Sequence, residues 1–88
     1  MKIEADPADD AIRRLRRIEG QVAGIARMIE SGRECKDVIT QISAASRAID
    51  QVGFKLVASG LKQCLTAEAG ATDPDAEAEL ERMFLKLA

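Results

Sequence analysis

The sequence of 88 residues contains no histidine, tryptophan or tyrosine, and only two phenylalanines, two cysteines and two prolines. Without histidine, the chain lacks the commonest general base, the commonest metal ligand and every histidine-dependent catalytic triad. Because 47% of the residues are nonetheless hydrophobic, a core must be built from Leu, Ile, Val and Ala. These residues recur at helical rather than alternating spacing, which predicts an all-α protein.

The chain also lacks a run of about 18 apolar residues, the minimum that spans a membrane. Its first residues, MKIEADPADD, are polar and acidic, unlike a signal peptide. We therefore expect a cytoplasmic protein with no membrane partner. In a reducing cytosol, two cysteines are more often reactive or metal-binding than joined in a permanent disulfide.

A chain of 88 residues has room for one domain, which we expect to span residues 1–88. The predicted helices span about residues 10–30, 34–66 and 73–87. The apolar stripes of the first two helices consist of Ile12, Leu15, Ile18, Val22, Ile25 and Ile29, and of Val38, Ile42, Ala45, Ile49, Val52 and Leu56. A core this small is marginally stable, so we expect the chain to form homo-oligomers.

Turn and glycine signals refine this organisation. Gly32 follows the last periodic residue of the first helix and predicts a helix stop. Asp73 and Pro74 are typical of a helix start and open the third, acidic helix. Gly53 lies inside the second helix, where it indicates either close backbone packing or simple tolerance.

Cys35 and Cys64 lie 29 residues apart on the predicted second helix. At about 1.5 Å of rise per residue, an unbroken helix separates them by roughly 43 Å, so they cannot meet within one chain. At about 100° per residue, both thiols nevertheless point from nearly the same face. If two such helices pack antiparallel about a two-fold axis near Ile49 and Asp50, Cys35 of one chain lies opposite Cys64 of the other.

The two cysteines are predicted to play different roles. Cys35 falls in the first turn of the second helix, where the helix dipole favours a thiolate, so it is the predicted nucleophile. Cys64 lies near the other end of the helix and suits a resolving role. The alternative is that both are small buried hydrophobic residues, as is frequent for free cysteines.

A cluster of arginines provides the candidate DNA-binding surface. Its residues are Arg13, Arg14, Arg16, Arg17 and Arg47. The first four occupy five consecutive positions on the solvent face or flank of the first helix. Guanidinium groups offer a planar pair of donors to phosphate oxygens, so the cluster is typical of a phosphate-contacting surface. The alternative is an ordinary solvated polar face.

Two blocks of the sequence, RRLRRIEGQVAGI at 13–25 and CKDVITQISA at 35–44, resemble the copper-sensing and nickel-sensing CsoR/RcnR family of bacterial transcriptional repressors. The resemblance extends from about Ala11 to Cys64. It implies an all-helical protomer whose first two helices form an antiparallel dimeric four-helix bundle, with dimers pairing into a homotetramer. It also implies a repressor that binds operator DNA and is not an enzyme.

The family's metal site is only partly present. In the copper-sensing members, a Cys at the start of the second helix meets a His and a Cys of the neighbouring chain, and the His precedes that Cys by four residues. Cys35 and Cys64 match the two cysteines, whereas Gly60 occupies the His position. The resemblance therefore does not imply the three-coordinate Cu(I) site, and it excludes nickel or cobalt sites that depend on His.

Retention of both cysteines without the His is similar to the CstR-like, persulfide-sensing branch. This resemblance implies a switch without metal or cofactor, in which a sulfane-sulfur donor reacts at Cys35. Cys64 of the partner chain then closes a disulfide or polysulfide bridge, and the operator is released.

Three other functions stay open. A Cu(I)-responsive repressor would use Cys35 and Cys64 as its metal ligands, because soft thiolates select Cu(I). A thiol enzyme is disfavoured because no base and no CxxC motif accompanies Cys35, so no catalytic residue is predicted. A helical module that binds acidic proteins through its arginines would lack a salt-dependent preference for specific DNA.

Overall fold

The computed structural model describes residues 2–65 and 74–88, which form three α-helices and no strand. The helices are α1, Ala5–Glu30; α2, Cys35–Leu65; and α3, Pro74–Leu87. The all-α prediction is confirmed. In the part of the chain that the structure describes, none of the helices has the length and apolarity needed to cross a bilayer.

The start of α1 differs from the sequence prediction, because the helix begins at Ala5 and not at about residue 10. Glu4 has extended backbone, and its carbonyl accepts the N–H of Ala8 at 2.9 Å. Pro7 lies in the first turn, where a missing N–H interrupts no helical hydrogen bond. Asp6 adds a negative charge at the helix N-terminus, which the dipole favours.

The turn between α1 and α2 ends the first helix as the sequence predicts. Gly32 has a φ of 76°, in the left-handed region that glycine adopts without steric strain. The N–H of Gly32 donates to the carbonyl of Ile29 at 3.1 Å, and the N–H of Arg33 donates to that of Met28 at 3.0 Å. This pair of bonds is a Schellman motif, which stops the helix and returns the chain along α1.

The α1–α2 hairpin is held by two clusters of small and branched side chains. Their buried members are Ala11, Ile18 and Val52 in one cluster, and Ile25, Val38 and Ala45 in the other. Within each helix these residues repeat every seven positions, as in a coiled-coil seam. The hairpin is therefore antiparallel, with the N-terminal half of α1 beside the C-terminal half of α2.

The predicted apolar stripes are only half used within the chain. Several of their members remain between 41% and 61% exposed: Ile12, Leu15, Val22, Ile29, Ile42 and Ile49. The stripe of each helix is wider than the seam between two helices, so one edge packs in the hairpin while the other edge faces outward. We call the outward set, together with the half-exposed Ile39, the bare apolar face.

The third helix packs against the C-terminal half of α2. A Cβ placed on Gly53 would lie 2.8 Å from Cδ2 of Leu87, which identifies close packing as the reason for glycine at this position. The rings of Phe54 and Phe84 meet edge to face, with centroids 5.6 Å apart, and Leu80 is buried. The predicted loop at residues 67–72 and the predicted cap at position 73 lie outside the described residues.

The protomer is a thin layer of helices. It measures 59 × 24 × 12 Å, and its shortest dimension is about one helix diameter. Its radius of gyration is 17.1 Å, whereas a compact domain of this length has about 12 Å. No described side chain is buried to below 2% exposure. A single layer cannot enclose a core on both sides, so much apolar surface stays accessible.

Candidate thiol site and nucleic-acid interface

The two cysteines lie at opposite ends of one helix. Cys35 is the first residue of α2 and is exposed, while Cys64 is its penultimate residue and is half-buried. Because α2 is unbroken, the helical rise separates them by roughly 43 Å within a chain. The structure therefore does not bring the two predicted thiols together in one protomer, although both lie on the same stripe of α2.

The surroundings of Cys35 contain more paired charge than the sequence suggests. The guanidinium Nη2 of Arg33 lies 3.7 Å from Oδ2 of Asp37, so an ion pair spans the residue that begins the helix. The carbonyl of Glu34 accepts the N–H groups of Asp37 and Val38. The thiol itself remains accessible to solvent or to a second chain.

The segment of α2 before Cys64 is partly covered. Gly60, which lies one helical turn before Cys64, is buried. It lines a largely apolar cavity of about 330 Å³ beneath α3, together with Leu80 and Met83. The position that would supply a third ligand is therefore a covered backbone segment with no side chain.

No three metal-ligating side chains come together within the described part of one protomer. A chain on its own thus offers single thiols at two distant points. Two thiolates, one from each of two chains, would suit a soft monovalent ion such as Cu(I) or the formation of a sulfur bridge. Both kinds of chemistry need a second copy of the chain.

The five predicted DNA-binding arginines divide by their partners. In the described residues, Arg17 and Arg47 are exposed and make no ion pair. Nη1 of Arg16 lies 3.7 Å from Oε1 of Glu19, and both side chains are more than 70% exposed. Arg13 and Arg14 both pair with Asp10. The cluster is accessible, but it is less free than its sequence suggests.

Asp10 is a residue that the sequence analysis missed. Its Oδ2 accepts Nε of Arg14 at 2.8 Å, and its Oδ1 accepts Nη2 of Arg13 at 3.4 Å. The hydrogen bond from Arg14 is the main cause that lowers the pKa of Asp10. The spacings i to i+3 and i to i+4 on a helix were the signal that could have revealed both pairs.

The helical fold, the two cysteines at the ends of α2 and the arginine cluster together define a class of protein. A model of the family described as metal-sensitive transcriptional repressor matches residues 8–86 of the chain. The chain belongs to this family, the CsoR/RcnR repressors, and it is a transcriptional repressor and not an enzyme. The family predicted from the segments at 13–25 and 35–44 is thus confirmed, whereas membership of the persulfide-sensing branch stays a prediction.

Two of the similar proteins are copper-sensing repressors, and a third is uncharacterised. The chain is 46% identical over 80 residues to the copper-sensing transcriptional repressor RicR of Mycobacterium tuberculosis, covering 91% of this chain and 83% of the relative. It is 38% identical over 79 residues to the copper-sensing transcriptional repressor CsoR of Bacillus subtilis, covering 89% and 78%. It is 34% identical over 74 residues to an uncharacterised Serratia marcescens protein encoded in the 5′ region of bioA, covering 84% and 80%.

Proposed function

We propose that this repressor is induced by Cu(I), bound by Cys35 of one chain and Cys64 of another. The carrying observation is the unbroken α2, which sets both thiols on one stripe but too far apart to share a ligand within a chain. Soft thiolates select Cu(I), and the similar repressors of Mycobacterium tuberculosis and Bacillus subtilis sense copper. Residues 1–88 would form one unit, acting in the cytoplasm where DNA is found.

The required assembly is supported by the bare apolar face. The protomer exposes 6730 Å², whereas a compact monomer of this size exposes about 5,000 Å². The excess of roughly 1,700 Å² is twice what each partner buries in a standard interface. Two hairpins pairing antiparallel through these faces would form a four-helix bundle, and two such dimers would form the tetramer.

DNA binding is assigned to the arginine cluster of Arg13, Arg14, Arg16, Arg17 and Arg47. Four of these side chains are exposed, and that of Arg14 is half-exposed beside the groove between α1 and α2. In an oligomer, several copies of this surface would contact backbone phosphates together, which raises affinity beyond that of one copy.

Induction needs a ligand that distinguishes two arrangements of the chains. Bound Cu(I) would supply a link between the start of α2 in one chain and the end of α2 in another. A link of this kind releases DNA only if the linked arrangement has the lower affinity for DNA, since a ligand shifts populations solely through such a difference. Cys35 and Cys64 are the groups proposed to bind the inducer.

A second candidate inducer is sulfane sulfur, and the lack of any histidine favours it. A persulfide R–S–SH would transfer its outer sulfur to the thiolate of Cys35, leaving Cys35–S–SH and RS⁻. The thiolate of Cys64 from the other chain would then attack Sγ of Cys35 and expel HS⁻. The product is a disulfide, and the transferred sulfur leaves reduced as sulfide.

One experiment separates the candidates. A duplex is first selected from a random-sequence library by the reduced protein, and its release is followed as Cu(I) is added in competition with a Cu(I) chelator. The proposal predicts release at one Cu(I) per chain, and a loss of Cu(I) affinity of at least about 100-fold in both Cys35→Ala and Cys64→Ala. Ser46→Ala, an exposed change on the same helix, should behave as wild type.

The opposite result has a clear meaning. If Cu(I) fails to release the duplex while inorganic polysulfide releases it and yields a non-reducing mass of two linked chains, sulfane sulfur is the inducer. If neither reagent acts through the two cysteines, the thiol site is wrong. If the reduced protein selects no duplex at all, the DNA-binding assignment fails.

A further inference from the structure

We propose that Asp10 acts as an internal competitor of DNA, occupying the guanidinium groups of Arg13 and Arg14 until a backbone phosphate takes its place. This inference rests on the proposed DNA-binding role of the arginine cluster. It assigns a function to a carboxylate that takes no part in the core or in the thiol site.

The geometry around Asp10 is that of an anion site. Its two oxygens accept from two different arginines, Oδ2 from Nε of Arg14 at 2.8 Å and Oδ1 from Nη2 of Arg13 at 3.4 Å. Lys55 of α2 lines the same groove as Asp10 and Arg14. Two guanidinium groups of α1 therefore hold one carboxylate, beside a groove to which α2 adds a further cation.

A phosphate group has the features that this arrangement recognises. Carboxylate and phosphate both present oxygen acceptors to the planar donors of arginine. Beside Asp10 and Arg14, the groove between α1 and α2 forms an open cavity of about 390 Å³, which Lys55 and Ser59 also line. A phosphate on a DNA backbone thus has room to approach the cations that Asp10 now neutralises.

The pairs are of a kind that can exchange. The side chains of Asp10 and Arg14 are each 38% exposed, and that of Arg13 is 69% exposed. Ion pairs at such exposure are weak, so a phosphate of a multivalent DNA site can displace the carboxylate. The cost of displacement lowers affinity for any duplex, and well-matched sites alone overcome it with their other contacts.

The test compares Asp10→Asn with Asp9→Asn. Both substitutions remove one negative charge from the same turn of α1, but the described contacts of Asp9 include no ion pair. Affinity is measured for the duplex selected by the wild-type protein at fixed salt concentration. We expect Asp10→Asn to bind about three- to tenfold more tightly than Asp9→Asn, the range that two weak exposed pairs allow. In an Arg14→Gln background, most of this gain should disappear.

A second measurement checks the contact itself. In the free protein, the Nε–Hε resonance of Arg14 should be shifted by the carboxylate. When the duplex is added, it should move to the position that it has in the duplex-bound Asp10→Asn protein. Equal affinities for the two asparagine variants would overturn the inference, and so would weaker binding by Asp10→Asn, which would make Asp10 a residue that orients Arg14. Failure of the wild type to bind any duplex would instead refute the proposed function.

Discussion

The two halves of α2 carry one continuous stripe but have different surroundings. In the N-terminal half, Ile42 and Ile49 lie on this stripe and are 44% and 48% exposed. In the C-terminal half, α3 covers the stripe, since Leu87 packs on Gly53 and Gly60 is buried. In the C-terminal half the stripe is covered within the chain, whereas in the N-terminal half it remains open for a second chain.

This difference separates the two thiols as well. Cys35 lies at the open end and is exposed, and Cys64 lies at the covered end and is half-buried. α2 thus holds Cys35 at its open N-terminal end and Cys64 at its covered C-terminal end. In an antiparallel pair, the open end of α2 in each chain would lie beside the covered end of α2 in the other. The two separate cysteines would then form one site.

The largest effect is expected from a charge on the open half. Ile49→Lys would place an ammonium group in the centre of the proposed interface and leave it without a partner. We expect dissociation to monomers and a loss of DNA affinity of at least about 100-fold, because contacts by several copies are lost together. Sedimentation and DNA titration measure both effects. Leu85→Lys, at a position that is 62% exposed on α3, is the control and should remain assembled. Normal assembly of Ile49→Lys would refute the proposed interface.

A smaller effect is expected on the covered half. Gly53→Ala would set its Cβ within 3 Å of both Cδ atoms of Leu87, whereas a Cβ on Gly20 meets no atom within 4 Å. Gly20→Ala should raise the free energy of unfolding by about 1 kcal/mol through helix propensity. The free energy of unfolding of Gly53→Ala should lie about 1–2 kcal/mol below that of Gly20→Ala, because α3 must shift to accommodate the added methyl group.

Thermal and denaturant unfolding measure both glycine variants. Adding Leu87→Ala to Gly53→Ala should recover part of the difference, since it removes the atoms in conflict. Equal gains from the two glycine substitutions would show that α3 does not pack on α2 as described.

The smallest effect concerns pH. The hydrogen bond from Arg14 is the main factor that holds the pKa of Asp10 below the ordinary aspartate value. The pair therefore adds stability above that value, near pH 4, and this contribution is lost as pH falls through the lowered pKa. Carboxyl-carbon NMR titration should place the midpoint of Asp10 below the ordinary aspartate value, and Arg14→Gln should raise that midpoint. A midpoint of Asp10 that Arg14→Gln leaves unchanged would contradict the ion pair.

Much of the fold could be predicted from the sequence because local signals agree with tertiary packing. The stop at Gly32 was predictable, since a left-handed position after an apolar stripe favours glycine. The start of α1 was not, because Pro7 and the acidic residues beside it suit either a preceding turn or a first helical turn. A turn before the helix and a first helical turn differ only in which backbone N–H and C=O groups form hydrogen bonds.

The sequence could not predict which members of the apolar stripes are buried within the chain and which are exposed, for a different reason. Ile18 and Ile49 both follow helical spacing, yet Ile18 is buried in the hairpin and Ile49 is exposed. Periodicity shows that a residue faces something apolar, but not whether that surface belongs to the same chain. The positions of the thiols were predictable from helix geometry alone, whereas the pairing of Asp10 needed the conformations of the side chains.

We place the inducer site between two chains, and a mixture of two inactive variants tests this claim. Cys35→Ala and Cys64→Ala proteins are unfolded together, refolded as a mixture and titrated with Cu(I), next to each variant alone. Random pairing gives mixed dimers with one intact site, so the mixture should regain about a quarter of the wild-type sites, while each variant alone has none. A mixture with no more sites than its components would contradict the claim.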